Sequence, residues 1–425
     1  MKIFVGPHEI SGIVDSIVKG FQENGVSATG VLSAKHKYEY GCNDSINVLI
    51  KLWQNLGSQR IEAYRKSKFM FVIMSSIQWV VSIFVLCWSL LKFDIFIYIF
   101  GETITNTRFE LFLLKLFKKR IIFIYLGSDS RPPYIDGNYY DGSTGLKKIL
   151  SRTKKIKKKI KLHEMYADAI INSPFSSHFN SKKVVNWFSI GFAKEVFPYQ
   201  SFRKPDVVRI LHAPSNYKVK GTKKIEILVN NLIDRGHNIE FIKIKGMPNK
   251  VVIEELEKCD FVVDQLYSDT PLAGLASEAA SLGKPSVVGG YSAKSIVDIC
   301  HRDDIPPSLY VCPDELETAI ERLVIDHEYR EKLGNDAYLF MKKRWSRELV
   351  AKRILRVISD EVPEEWLFNP KDIRYLEGAG VSRENSKVMT KAIIEQYGVQ
   401  SLQLDDNHEL QRAYMEYCGL YTEGS

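Results

Sequence analysis

Two short segments hold the residue types with the most chemistry. The first is His212-Ala-Pro-Ser-Asn-Tyr-Lys-Val-Lys-Gly-Thr222, in which Ser215, Lys218, Lys220 and the amides around Gly221 and Thr222 stand where a strand gives way to a helix. Free backbone N–H groups at a helix start, together with lysine, suit a diphosphate. The second is Gly274-Leu-Ala-Ser-Glu-Ala-Ala-Ser-Leu-Gly-Lys-Pro285. It offers a second helix start at Gly274, Leu275 and Ala276, and Glu278 in its first turn can accept hydrogen bonds from two adjacent ribose hydroxyls. Taken singly, a Lys-Gly pair is a solvated loop and a helix-start glutamate is a cap. In this order, on these elements, they form a nucleotide pattern.

The elements that must position them alternate strand and helix. Val207-Val-Arg-Ile-Leu-His-Ala reads as a buried strand, and Thr222 as the N-cap of a helix with Ile225, Leu228, Val229 and Leu232 on one face. Strands at Ile239–Ile244, Asp260–Asp264 and Ser286–Val288 follow, with helices at Asn249–Cys259 and Leu275–Leu282 between them. That pace implies a parallel sheet covered on both faces, with ligands beyond the carboxyl ends of its strands.

These motifs resemble the carboxyl-terminal, donor-binding domain of the GT-B glycosyltransferases, in particular the family-4 retaining group of bacterial polysaccharide biosynthesis. There a Lys-Gly after the first strand of the second domain contacts the donor diphosphate, matched by Lys220 and Gly221. A glutamate before an Ala-x-x-x-Gly-x-Pro-Val-Val run contacts the ribose, matched by Glu278. The resemblance covers roughly residues 1 to 360. It implies an α/β chain of the GT-B class, two Rossmann-like domains with parallel sheets facing across a cleft, plus a carboxyl-terminal helical extension. It also implies transfer of a sugar from a nucleotide-diphosphate donor to a glycan or lipid-linked glycan, with retention of configuration. His212, Ser215, Lys218, Lys220, Gly221, Gly274, Leu275, Ala276 and Glu278 become the expected donor-binding set. Eight positions before Glu278, where the group has a second glutamate near the sugar, this chain has Thr270 with Asp269 beside it. Either Asp269 substitutes, or the sugar is held differently, or the chain is a catalytically silent binding subunit supporting a partner transferase. An epimerase of the same fold is a further alternative. The catalytic candidates are Lys220, Asp269 and Asp129. No Asp-x-Asp pair stands at a strand end, so neither a bound metal nor a tightly held cofactor is implied.

The preceding half reads as the acceptor domain, 1–191. Its first strand, Lys2–Val5, runs into the loop Gly6-Pro-His-Glu-Ile-Ser-Gly12, where His8 and Ser11 are acceptor candidates. The strand Arg120–Leu126 delivers Gly127-Ser-Asp-Ser-Arg131 to its carboxyl end. Asp129 there can bond sugar hydroxyls and Arg131 can meet a phosphate, or the two pair with each other inside an Asx-type turn. A short helix is expected after Ser173. Residues 192–205, with Pro198 and Pro205, read as a linker, 206–344 as the donor domain, 345–360 as a helix crossing back to the first domain, and 361–425 as the extension.

Length and composition are those of a two-domain globular protein: 425 residues, 45% apolar, net charge +8. Six cysteines without metal-type pairing suit a reducing compartment, and the chain begins directly on a strand with no secretion signal, so a cytoplasmic protein is expected. Three readings stay open for the uncharged Phe69–Leu91: a membrane span, a buried helix over the sheet, or a helix dipped into a lipid surface. The basic helix Lys147–Lys161 is either a solvated face or, with Phe69–Leu91, a contact for anionic lipid at the inner face of the membrane. Nucleic acid is not an expected partner.

Overall fold

The computed structural model describes residues 1–38, 47–140, 144–199 and 205–421. Cys42 and the linker positions 200–204 lie outside them. The first sheet holds β1 (Lys2–Gly6), β2 (Ser27–Gly30), β3 (Ile95–Ile99), β4 (Arg120–Ile124), β5 (Ala169–Asn172), β6 (Val184–Asn186) and, from the extension, β12 (Leu367–Phe368). Their order is β12-β6-β5-β4-β3-β1-β2, parallel throughout except for β12. The second sheet is fully parallel, ordered β11-β10-β9-β7-β8, from β7 (Val208–His212), β8 (Ile239–Lys243), β9 (Phe261–Val263), β10 (Ser286–Gly289) and β11 (Leu309–Val311). Two Rossmann-like units thus face each other across a cleft in the GT-B arrangement.

Connection direction decides which helix covers which face. The step from β1 to β2 runs one way along the first sheet, and the steps β2 to β3, β3 to β4 and β4 to β5 run the other way. Right-handed crossovers therefore place helices Lys68–Lys92, Arg108–Leu116 and Leu146–Tyr166 together on one face, and Ile13–Glu23 on the opposite one. The helix Arg347–Ile358 packs on Ile13–Glu23. Contact is so close that a Cβ on Gly20 would lie 2.1 Å from the Arg347 carbonyl oxygen.

The helix Lys68–Lys92 covers the sheet with its polar side inward. Gln78, Ser82 and Ser89 are buried along with Val85 and Leu86, whereas Phe69, Val72, Trp79, Val80, Ile83, Phe84 and Leu91 are exposed. Among the described residues it is the one helix long and apolar enough to cross a bilayer, with mean hydropathy 2.2. Phe109, Phe112, Leu116 and Phe117 continue the exposed apolar surface on the neighbouring helix.

The extension contains two helices, Arg383–Tyr397 and His408–Tyr417, and differs from a purely helical arm by supplying β12. Its Leu402, Leu404, Leu410 and Tyr414 join the first-domain core, where Tyr414 meets Tyr134 edge-on. Between β12 and the first of these helices, the strap Tyr375–Ser382 touches both domains. Gly137 N–H donates to the Ala379 carbonyl (2.8 Å), Ala379 N–H to the Ile135 carbonyl (3.2 Å) and Gly380 N–H to the Tyr267 carbonyl (2.7 Å). Glycine is required there: a Cβ on Gly378 would lie 1.5 Å from the Ile135 carbonyl oxygen. Residues 173–177 form a turn instead of the expected short helix.

Candidate active site

The strand order reverses at β7 and β9 in the second sheet, and the open crevice of such a sheet lies there, beyond the carboxyl ends. Ala213 and Ser215 follow β7, Asp264 follows β9, and both loops line a cavity of about 250 Å³ closed from the first domain by Ile10, Ser11, His36 and Tyr38. Lys220, Gly274, Leu275 and Glu278 complete its polar wall, with Ile244, Met247 and Val252 as an apolar end.

Lys220 Nζ donates to Asp264 Oδ1 (3.2 Å), so the side chain is aimed by a carboxylate that is itself almost wholly buried. Asp264 Oδ2 has no hydrogen-bond partner among the described residues. The helix Gly274–Ser281 begins without a side-chain cap, leaving its first amides free to meet an anion from this cavity. Glu278 Oε1 accepts from Lys194 Nζ and from Asn249 Nδ2, each at 3.1 Å. Lys194 Nζ also donates to the Ser11 carbonyl (2.8 Å), tying the ribose candidate to the first-domain loop. Sequence reasoning missed Lys194 and Asn249, one hidden in the linker and the other read as the start of a helix.

Several expected donor residues stand elsewhere. His212 is fully buried, with Nδ1 2.7 Å from the Val263 carbonyl and Nε2 2.9 Å from Thr222 Oγ1; it braces the strand and does not reach the cavity. Thr222 accordingly is no cap. The helix Thr222–Asp234 starts from Gly221 in the left-handed region (φ 72), whose missing Cβ leaves room for Leu266. Gly221 and Lys218 line a different cavity, shared with Tyr140, Tyr267 and the strap. The amides facing the main cavity therefore come from Gly274 and not from Gly221. Ala276 is fully buried in the first-domain core cluster.

Ser11 divides the cleft. It holds φ 51, an uncommon conformation for a side-chain-bearing residue, and a Cβ on Gly274 would lie 2.9 Å from its Oγ. On the far side of that contact is a second cavity of about 130 Å³, lined by Ser11, Gly127, Trp187, Phe192, Asp269 and Thr270 among others. Asp269 is not a free carboxylate there, because Arg131 Nη2 is paired with it across the cleft while Arg131 Nη1 meets Asp136 Oδ2 at 2.8 Å. Arg131 is thus an interdomain clamp, and its nearly buried guanidinium is spent on two carboxylates.

Asp129 forms the expected turn, accepting from Leu126 N–H (3.0 Å), but pairs with neither Arg131 nor a cavity. Burial pushes its carboxyl up to about 6, against the opposing pull of Lys159 and the nearby amides. The acceptor candidates Asp129 and Arg131 are therefore structural in this arrangement, as is Asp129 as a catalytic candidate, since one is enclosed and the other neutralised. His8 stacks on Phe100 (5.2 Å between centroids), and burial lowers its pKa. It lines a fourth cavity, away from the donor-side one. Among the described residues, no group of three or more His, Cys, Asp or Glu is placed to hold a metal ion.

No family model and no curated protein sequence matches the chain. Among solved structures it is similar to HepE from Anabaena in complex with UDP and glucose, at 10% identity over 85% of this chain and 100% of that one, with a TM-score of 0.44. A UDP-forming α,α-trehalose-phosphate synthase from Burkholderia xenovorans, in complex with glucose-6-phosphate, aligns at 10% identity over 84% and 100%, with a TM-score of 0.48. TarM from S. aureus aligns at 12% identity over 66% and 58%, with a TM-score of 0.42.

Proposed function

We propose that the chain transfers a sugar from a nucleotide-diphosphate donor to a glycan or lipid-linked glycan acceptor, as a retaining glycosyltransferase of polysaccharide biosynthesis. The observation that supports this most is the convergence of Lys220, the uncapped start of Gly274–Ser281 and Glu278 on one cavity at the crevice of the second sheet. In this reading Glu278 accepts from the ribose hydroxyls, with Lys194 and Asn249 fixing its orientation. The Gly274 and Leu275 amides and Lys220 hold the diphosphate, and as the glycosidic bond to it breaks, they stabilise the charge that develops on the leaving oxygen. The base lies against Ile244, Met247 and Val252. The transferred sugar occupies the smaller cavity beyond Ser11.

The protein works at the inner, cytoplasmic face of a membrane in this reading. Support comes from the outward-facing apolar side of Lys68–Lys92 and from the exposed Lys147, Lys148, Lys154, Lys155, Lys158 and Lys161 on the same face of the sheet. Lys157 does not contribute, since it is buried against Asp406 at 2.6 Å.

One observation favours the second reading, a silent binding subunit: Thr270 replaces a glutamate and Asp269 is engaged by Arg131. The test is thermal stabilisation and slow hydrolysis of UDP-, GDP- and ADP-sugars by wild type, Lys220→Ala, Glu278→Gln and Thr270→Glu. A transferase binds and hydrolyses one donor and loses both properties with Lys220→Ala. A silent subunit binds without turnover and gains it only with Thr270→Glu. Absence of binding to every donor overturns both.

A further inference from the structure

The first sheet has its own reversal of strand order, at β1 and β3, and a cavity stands there too. Its volume is about 470 Å³, larger than the donor-side cavity. Pro7 and His8 come to it from the end of β1, and Phe100, Glu102 and Asn106 from the end of β3. The roof is the inward, polar side of Lys68–Lys92, through Ser75, Gln78 and Ser82.

Two hydrogen-bonding groups in its wall are unused. Among the described residues, Trp53, 2% exposed, has no acceptor for its indole N–H, and Gln78, 4% exposed, donates to the Ser33 carbonyl (2.9 Å) but leaves its Oε1 without a donor. An unpaired buried donor or acceptor costs about 1–3 kcal/mol, and a ligand in this cavity that reaches either one recovers that cost. Arg60 and Glu102 both line the cavity, where burial lowers the Arg60 pKa and the Glu102 charge opposes it, and the two form no ion pair among the described residues. Opposite charges held apart offer donors and acceptors with little net charge, which matches the hydroxyls of a sugar better than a phosphate. The wall is also rigid. Glu110 accepts from Tyr98, from the hydroxyls of Thr103 and Thr105 and from the amides of Ile104 and Thr105, at 2.6–2.9 Å, pinning the loop that carries Glu102.

The rim is apolar. Trp79 lines the cavity and is 49% exposed on the outer side, where it continues into Val72, Val80, Ile83 and Phe84. We propose that this cavity binds the sugar headgroup of a lipid-carried glycan acceptor, whose hydrocarbon chain lies along the outer face of Lys68–Lys92. Trp79 sits at the junction of the two, where an aromatic ring meets both a sugar face and an alkyl chain. The loop from His8 to Ser11 leads from this headgroup to the donor side. This inference rests on the transferase reading for its direction of transfer, but the binding it states does not need turnover.

Tryptophan fluorescence reads the test, since Trp53 and Trp79 are in the wall. Wild type, Arg60→Ala and Glu102→Gln are titrated with octyl glucoside, octyl galactoside, octyl mannoside and octyl phosphocholine, all below their micellar concentrations, and thermal unfolding checks that each variant is folded. The expected result is saturable binding of at least one octyl glycoside, tenfold or more tighter than octyl phosphocholine of the same tail. Both variants should lose at least five-fold of that preference while phosphocholine binding stays constant. Equal binding of all headgroups, or a preference that survives both substitutions, overturns the proposal. Thermal shift with the preferred nucleotide sugar, run on the same samples, separates the two claims. Headgroup preference without donor binding defeats the transferase reading alone, and donor binding without headgroup preference defeats this one alone.

Discussion

The two sheets each open a cavity at the place where strand order reverses, yet the two cavities are chemically unlike. Around the second sheet the polar groups are a lysine, the free amides of a helix start and a glutamate, a set that gathers negative charge at one end and hydroxyls at the other. Around the first sheet an arginine and a glutamate stand apart, beside an unpaired indole N–H and an unpaired amide oxygen. In the proposed reading the same topology serves an anion on one side and a neutral polyol on the other. Position in the fold says where a ligand goes, and the side chains say which.

Loss of the lysine beside Asp264 should have the largest effect. Lys220→Ala should lower donor turnover by about 10²–10³-fold, as loss of one preorganised positive contact at a developing charge does. Donor consumption assays check it, and a loss under fivefold would remove Lys220 from the chemistry.

Glu9 lies in the loop between the two cavities and tests whether that divider is built as described. Burial raises its carboxyl from the ordinary 4.5 to about 7, against the amides of Val14 and Asp15 and the charge of Lys194. A raised carboxyl pKa means the folded chain holds the proton more tightly, so this contribution is present below pH 4.5 and lost as pH rises through 7. The loss is on the order of 3 kcal/mol. Denaturant unfolding of Glu9→Gln across pH 4.5–7.5 should lack that fall. His178, lowered to about 4 mainly by burial, acts in the opposite sense, costing stability as pH drops below 6.5.

On the outward apolar side of Lys68–Lys92, if it meets lipid as proposed, Phe84→Glu should weaken binding to anionic vesicles by about ten- to a hundredfold, from an apolar side chain worth roughly 2 kcal/mol. Because Phe84 is 61% exposed, the melting temperature should stay constant. Flotation measures it, and an unchanged partition would leave the outward apolar face without a lipid role. The smallest effect belongs to Lys158→Gln, about 1 kcal/mol and abolished at high salt. Lys157→Gln, by contrast, should show up in stability and not in vesicle binding.

The gathering of second-domain residues on one cavity was largely legible because they come from two short stretches on a strand–helix rhythm. Lys220, Gly274, Leu275, Ser215 and Glu278 fall on one cavity as the spacing implied. What misled was direction. His212, Lys218 and Gly221 sit at the same strand end but point inward or to the opposite side of their loop, and linear spacing carries no such angle. The first-domain cavity was illegible for a different reason: its wall is drawn from five separate elements between Pro7 and Asn106. Within Lys68–Lys92 the sequence does carry a signal, since Ser75, Gln78, Ser82 and Ser89 fall on one side of a helix. Their placement on a single face is what turns the apolar side outward. Asp129 and Arg131 were placed correctly at a strand end; that Arg131 would be claimed by Asp269 from the other domain depends on how the domains meet.

The strap from Tyr375 to Ser382 has a mechanical consequence. A two-domain protein joined only at its linker opens like a jaw, about that one line. Here the two halves are joined a second time, by backbone hydrogen bonds through Ala379 and Gly380, as well as where Lys194 exchanges backbone bonds with Trp345 and Arg347. A body fastened along two lines cannot gape about either without breaking the other. Opening of the jaw therefore has to break the Gly380 to Tyr267 hydrogen bond as well as bend the linker.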